Sequence, residues 1–464
     1  MRRLRLPALV LAALLSAALA APPAQAQGAA DRAVGAWSAE EAYFHASIVI
    51  DRVEGGALAA YFAGDDLVRG AAFSAASVRG DSVFLAADHV GARFRGAVAA
   101  DGSAIRGTYT QGEASVPLTL VRAAPAAPPA RPQDPAPPFP YTSEEVAFEG
   151  GGGVRVVGTL TVPDGPGPHP GVVLVQGSGD NDRDYAFLGH LPFLVLADHL
   201  ARHGVASLRY DERGAGASSA DPLAATLDDE GQDAAAALRT LRAHPAVDAG
   251  GVGVVGHSLG GVLAPYVHDR IERAAFLVLL APPGADLGEV LLGQGDRMGA
   301  AAGAPEAEVR ASRAAWAAVF AAARSDADSL TAAGQMAAAL NHLGMDADEV
   351  EVRVRAHAAR GFRDLIRYDP GPALARVDVP VLVVFGTTDT AVMPAENAAP
   401  VLAALAASPS GDVTVRVVGG LNHWLQPAET GTDEEAERTE TTIDPMLLKE
   451  LAAWIQDRTG GGQE

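Results

Sequence analysis

Cysteine is absent from the 464 residues. Disulfides, a cysteine nucleophile, thiolate zinc sites and an acylated lipoprotein anchor are therefore excluded, and stability must come from core packing. Lysine is nearly absent as well: Lys449 stands alone, and the other basic residues are arginines. With abundant alanine and glycine, that usage reads as a nucleotide-composition bias rather than an adaptation to salt. Positive charge is in deficit overall. The formal charge is -22, and so acidic a surface repels phosphates, which argues against nucleic acid as a partner.

What is present first is an export signal. Arg2, Arg3 and Arg5 precede the apolar run "LPALVLAALLSAALA", and "AQA" ends at Ala26 with small residues at the cleavage positions. The run is too short for a comfortable span. We expect residues 1–26 to be removed, the mature chain to have no membrane span, and the protein to be periplasmic or extracellular. The arginine pair is a weak hint of twin-arginine export.

A proline-rich stretch, Ala123 to Pro140, has no apolar period and reads as an extended linker over residues 123–140. Before it, residues 27–122 read as a small all-β domain, a barrel or a sandwich. "ASIVIDRV" alternates, "GALAAYFAG" and "DSVFLAAD" are short strand candidates, and two strands meet at Asp101-Gly102. "VPLTLVR" is placed to close the sheet. His45 and His89 are lone histidines there, read as structural or solvated. After the linker, residues 141–464 alternate apolar strands with helices, the pattern of a mostly parallel sheet covered on both faces. Ligands bind beyond the carboxyl ends of such strands, so the loops after the valine-rich runs matter most.

One of those loops is "VVGHSLGG". Gly256-His257-Ser258-Leu259-Gly260 fits G-x-S-x-G between a strand and a helix. A turn that sharp strains the serine backbone and leaves no room for side chains at Gly256 and Gly260, while Gly261 lets the helix pack close. Ser258 is thereby offered as a nucleophile. It needs a base, and the base needs a carboxylate to orient it. His423, in "GGLNHWLQ" after the last strand, is the best-placed histidine. His257 adjoins the serine but should point away from Oγ, and His268 and His342 fall in helical stretches. Asp389, in "VVFGTTDTAV", lies between serine and histidine in chain order; Asp286 is its competitor. The oxyanion donors are expected to be the amides of Leu259 and Ser178, with Gly179 second to Ser178.

Other motifs carry less. "DNDRD" opens like a calcium loop, yet Tyr185 stands where glycine belongs and Leu191 where glutamate belongs. No metal is expected, and Arg183 is expected to pair with a nearby carboxylate. "YDERGAGAS" lacks the lysine of a phosphate-binding loop, so Asp211 and Arg213 read as structural locks.

Taken in order, "GSGDNDRD", "RYDERGAGAS", "GHSLGG", "FGTTD" and "LNHWLQ" resemble the α/β-hydrolase superfamily, and within it a bacterial secreted esterase group close to serine aminopeptidase-like and dienelactone hydrolase-like proteins. The resemblance runs from about Tyr141 to the C-terminus, and "GTYTQGEASVPLTLVR" resembles a β-domain that precedes some such hydrolases. It implies an α/β-hydrolase fold of mostly parallel sheet flanked by helices, and carboxylic-ester hydrolysis without a cofactor. Ser258, Asp389 and His423 then serve as nucleophile, acid and base on a small-molecule ester. Asp180 departs from the pattern, where proline is expected, which leaves the shape of the oxyanion loop open. The long alanine-rich insertion, about 284–368, is expected to form a helical cap. Trp316, Phe320, Met336 and Phe362 are candidates to line an acyl pocket, with packing within the cap the favoured role for each. Two other readings stand beside the esterase: an amide hydrolase using the same triad, and a non-catalytic envelope-binding protein whose first domain holds a ligand.

Overall fold

The computed structural model describes residues 29–41, 44–52, 58–62, 75–87, 92–111, 114–122, 130–221, 225–301, 303–345 and 347–460. Residues 1–26, expected to be an export signal, and His89 lie outside them. The chain divides into two compact units, Met1–Ala126 and Ala127–Glu464. No helix among the described residues is long and apolar enough to cross a membrane.

Among its described residues the first unit has a short helix, α1 (Ala29–Ala33), followed by eight strands: β1 (Gly35–Glu41), β2 (Phe44–Arg52), β3 (Leu58–Phe62), β4 (Ala75–Arg79), β5 (Ser82–Ala87), β6 (Ala92–Val98), β7 (Ala104–Gln111) and β8 (Ala114–Arg122). Their order in the sheet is β3-β2-β1-β8-β7-β6-β5-β4, and every pairing is antiparallel. β8 pairs with β1, and the two edge strands β3 and β4 lie close together. That cyclic order is the order of an up-and-down barrel rather than of a sandwich. Alternate residues of β6 turn inward, as the two-residue side-chain period requires. Trp37, Ile50, Leu85, Phe94, Ile105 and Leu120 meet in a single buried core. β1 was not visible in the sequence, because "GAWSAEE" shows no clear alternation of apolar and polar residues.

The second unit is built on β9 (Tyr141–Glu149), β10 (Arg155–Pro163), β11 (His169–Val175), β12 (Ala206–Tyr210), β13 (Val247–His257), β14 (Leu277–Leu280), β15 (Val381–Gly386) and β16 (Val413–Val418). Their order is β16-β15-β14-β13-β11-β12-β10-β9. The six strands from β16 to β12 are parallel, and β10 and β9 join antiparallel at one edge. Successive residues of the central strands feed two separate cores. Val173, Val175, Val254 and Val383 face one way, against α3 (Leu227–Arg242), α4 (Leu259–Arg270) and α11 (Pro394–Ala406). Val172, Leu174, Val255 and Val384 face the other, against α2 (Pro192–Arg202) and α13 (Pro445–Thr459). Strands buried on both faces must be apolar throughout, which is why β15 reads "VLVVFG" with all six residues buried. Between β14 and β15 lie α5 (Leu287–Ala301), α6 (Glu306–Arg324), α7 (Ser329–Asn341), α8 (Ala347–Ala358), α9 (Arg360–Leu365) and the short α10 (Gly371–Leu374). The first five form the expected cap. Phe320 and Met336 sit in its own core, with Trp316 and Phe362 packed against it.

The proline-rich stretch departs from the picture of a free linker. Its second half is fastened to the second unit. Arg131 donates to the carbonyls of Gly189, Glu437 and Thr439. The Gln133 amide donates to the Ile443 carbonyl at 2.7 Å and accepts from the amides of Thr442 and Ile443. Polar side chains spaced between prolines supply these contacts, and no apolar period announces them. Gln133→Ala strands two amides and a carbonyl. It is expected to lower the stability of the second unit by about 1–3 kcal/mol, read as a lower urea midpoint with an unchanged slope.

Candidate active site

β13 ends at His257, and α4 starts at Leu259. Ser258 is the single residue between them, with φ 53° and ψ −121°. This is backbone that side chains other than glycine rarely adopt, and it costs on the order of 1–3 kcal/mol. The strain is held by packing from both sides. A Cβ on Gly256 would collide with the backbone of Gly260, and one on Gly260 would collide with the carbonyl of Val175. The Ser258 amide is fixed to the Leu280 carbonyl at 2.8 Å.

β11 lies beside β13 with Val175 opposite Gly256. The loop that follows β11 therefore runs past the serine. A Cβ on Gly177 would stand 2.8 Å from Cβ of Ser258, so Ser178 follows at close quarters. Its amide and that of Leu259 bond to no acceptor among the described residues.

Across β13 from β11, at the same carboxyl edge of the sheet, Asp389 follows β15 and His423 follows β16. Nδ1 of His423 lies 2.9 Å from Oδ2 of Asp389. The other carboxylate oxygen, Oδ1, accepts from the amides of Ala391 and Val392 at 2.8 and 2.7 Å. Asp389 is buried, and both of its carboxylate oxygens accept hydrogen bonds. His423 keeps Nε2 without a hydrogen bond among the described residues, and Ser258 Oγ likewise. The expected pair Asp389–His423 is thus joined. The hydrogen bond from serine to histidine is not formed in this structure; such contacts are often long before substrate binds.

The competitors are occupied elsewhere. Asp286 caps the first turn of α5 and pairs with Arg324. His268 lies 3.0 Å from Asp378, and its other nitrogen accepts from the Ala274 amide. His342 is exposed at the end of α7. His257 is buried and turned toward the His423 backbone, 2.8 Å from its carbonyl.

The "DNDRD" loop is a lattice of internal contacts. Arg183 grips Asp211 through Nε and Nη2, Asp184 pairs with Arg209, and Arg213 clamps Asp233 with two bonds of 2.8 Å. The structural reading of Arg183, Asp211 and Arg213 matches these contacts. Asp180 stays outside the lattice and faces a cavity of about 210 Å³. That cavity touches Ser178 and Leu259 and is closed by Leu263 and, from the cap, Phe362 and Leu365. Of the four cap residues weighed in the sequence, Phe362 alone lines it. Its other wall carries Glu212 and Glu230 beside Asp180. Burial raises the Glu212 carboxyl well above its usual range, against hydrogen bonds from Asn181. Glu230 opens to the cavity, yet desolvation pushes it up to about 7; Arg213 opposes this and Asp233 adds to it. Neither glutamate was singled out in the sequence. Both sit in loop and helix-start positions whose acidity looked like ordinary surface.

The alpha/beta hydrolase family model matches residues 172–434, more than half of the chain. The chain belongs to the alpha/beta hydrolase family. Esterase EstD of Thermotoga maritima is 28% identical over 302 residues, 64% of this chain and 65% of that protein. The chain therefore spans less than two thirds of that relative's length. Among solved structures, an esterase from Pyrococcus furiosus is 14% identical, covering 72% of this chain and 98% of its own, with a TM-score of 0.43. Carboxyl esterase 2 from the fungus Tuber melanosporum is 15% identical, covering 72% of this chain and 92% of its own, with a TM-score of 0.43.

The glycine packing around Ser258 has a measurable consequence. Gly256→Ala meets backbone, which has no rotamer to yield, so it is expected to destabilise the second unit by at least about 1–3 kcal/mol. Gly411→Ala has no heavy atom within 4 Å of the added carbon and should change stability by less than about 0.5 kcal/mol. Urea unfolding of the two variants compares them directly.

Proposed function

We propose that this protein is a serine hydrolase that cleaves carboxylic esters through an acyl-enzyme on Ser258. The observation that carries the proposal is the strained serine at the β13–α4 turn, with two nearby amides unbonded among the described residues and a carboxylate-paired histidine on the same sheet edge. In this reading Oγ of Ser258 attacks the ester carbonyl, and Nε2 of His423 takes the proton. Asp389 holds the ring through Nδ1 and stabilises its charged form. The amides of Ser178 and Leu259 receive the negative oxygen of the tetrahedral intermediate. His423 returns the proton to the leaving alcohol, and water then releases the acyl group from the serine. No step in this sequence needs a cofactor. The name of the Thermotoga relative supports the same reaction class.

Ser258→Ala is expected to lower hydrolysis of short p-nitrophenyl esters by roughly 10⁴-fold or more while the thermal midpoint stays near wild type. Turnover that survives the substitution would refute the proposal.

A second reading has its own support. Asp180, Glu212 and Glu230 line the cavity next to the proposed oxyanion amides, a wall suited to a substrate ammonium group, as in an amide hydrolase that cleaves amides of substrates bearing a free amino group. Ionisation of Glu230 above about 7 strengthens that wall as pH rises. An ester of a trimethylammonium alcohol is therefore expected to show a lower KM than its neutral tert-butyl isostere, with the advantage growing from pH 6 to pH 8. Matched ester and anilide substrates then separate the two reaction classes. Equal KM for the cationic and neutral esters at both pH values removes the second reading.

A further inference from the structure

Tyr185 is a large aromatic residue in the left-handed region, with φ 58°, and only 3% of it is exposed. A strained, buried residue of this kind persists where its surroundings over-determine it. Its hydroxyl supplies the reason. The oxygen accepts a hydrogen bond from the Gly177 amide at 2.8 Å and lies 3.1 Å from Nδ1 of His257. On the far side of that ring, Nε2 is 2.8 Å from the carbonyl oxygen of His423.

The directions of these bonds follow from chemistry. A carbonyl only accepts, so Nε2 of His257 carries the proton. In a neutral ring Nδ1 is then an acceptor, and the Tyr185 hydroxyl donates to it. The ring is neutral near pH 7, because burial, with the nearby His423 adding to it, holds its pKa down at about 3. The resulting relay has one polarity: the Gly177 amide to the Tyr185 oxygen, the Tyr185 hydroxyl to His257, and His257 to the backbone of His423. Trp424 clamps it from the side, stacked on His257 at 5.3 Å and edge-on to Tyr185 at 5.0 Å. One end of the relay is the residue before Ser178. The other is the main chain of the base. The ring between them belongs to the residue just before Ser258.

We infer that Tyr185 and His257 are positioning residues, which set the oxyanion loop and the histidine loop at a fixed spacing about Ser258. The inference rests on the hydrolase reading above. Both side chains are buried, and neither lines the cavity, so they act through Gly177 and His423 rather than on substrate. Misplacing reacting groups by a fraction of an ångström slows the transition state far more than it weakens ground-state binding, so the effect falls on kcat.

The test compares Tyr185→Phe, His257→Phe and the double variant on a p-nitrophenyl ester. Active sites are counted with a fluorophosphonate probe, so that only folded, reactive protein enters kcat. Each single variant is expected to lose about 10- to 100-fold in kcat with KM within about twofold. The double variant should lose no more than the worse single one, because both cut the same relay. His257→Gln, which again offers the His423 carbonyl a donor, should recover at least about threefold in kcat over His257→Phe. Either Phe variant carries the test if the other fails to fold. Unchanged kcat per counted site, or fully additive losses, overturns the inference even if the melting temperature falls. A wild type without Ser258-dependent turnover overturns the hydrolase reading itself, whereas an active wild type beside variants of unchanged kcat overturns this inference alone.

Discussion

The second unit depends on a close approach of backbone to backbone where β13 passes into α4. Gly256 lies against Gly260, Gly260 lies against the end of β11, and Gly177 leaves just enough space for Cβ of Ser258. Hydrogen atoms in place of side chains allow a strand, a loop and a helix to converge within van der Waals distance. That convergence forces the serine into its strained conformation and brings the amides of Ser178 and Leu259 to its flanks. Larger residues at these positions would separate the layers and relax the serine.

Packing elsewhere resists this strain. Strands β11, β13, β14 and β15 are apolar on both faces and are covered by helices on each. A rigid sheet fixes where its carboxyl ends lie, and the loops inherit that precision. Each loop is then tied down with polar contacts: two amides on Asp389, Arg183 on Asp211, and Arg213 on Asp233. A buried carboxylate is costly to leave unpaired, so these loops hold their shape strongly.

Two histidines 4.7 Å apart, ring to ring, take opposite parts. His423 has a carboxylate on one nitrogen, and its second nitrogen bonds to nothing among the described residues. His257 has both nitrogens engaged, by an alcohol and a carbonyl, within a buried aromatic cluster. Adjacency to the serine in sequence thus singles out a ring with no nitrogen to spare, because the Tyr185 hydroxyl and the His423 carbonyl take both.

Much of this molecule is written locally in the chain. Valine-rich runs declare buried strands, "GHSLGG" declares the turn, and the order serine, aspartate, histidine, each in a loop just after a strand, offers Ser258, Asp389 and His423. The strand and turn signals are short-range patterns with short-range causes, and their order along the chain carries the family resemblance, so the sequence alone determined the α/β architecture and the cap and offered the proposed site. Other features exist only once distant segments touch. Gln133 meets residues some three hundred positions away. Glu212 and Glu230 share a cavity wall, and Tyr185 finds His257 across 72 positions. No local period marks such residues, since a hydrogen bond between loops depends on where the sheet delivers their ends. Folding therefore decided which acids face the cavity, which histidine is silenced, and that half of an apparent linker is part of the second unit.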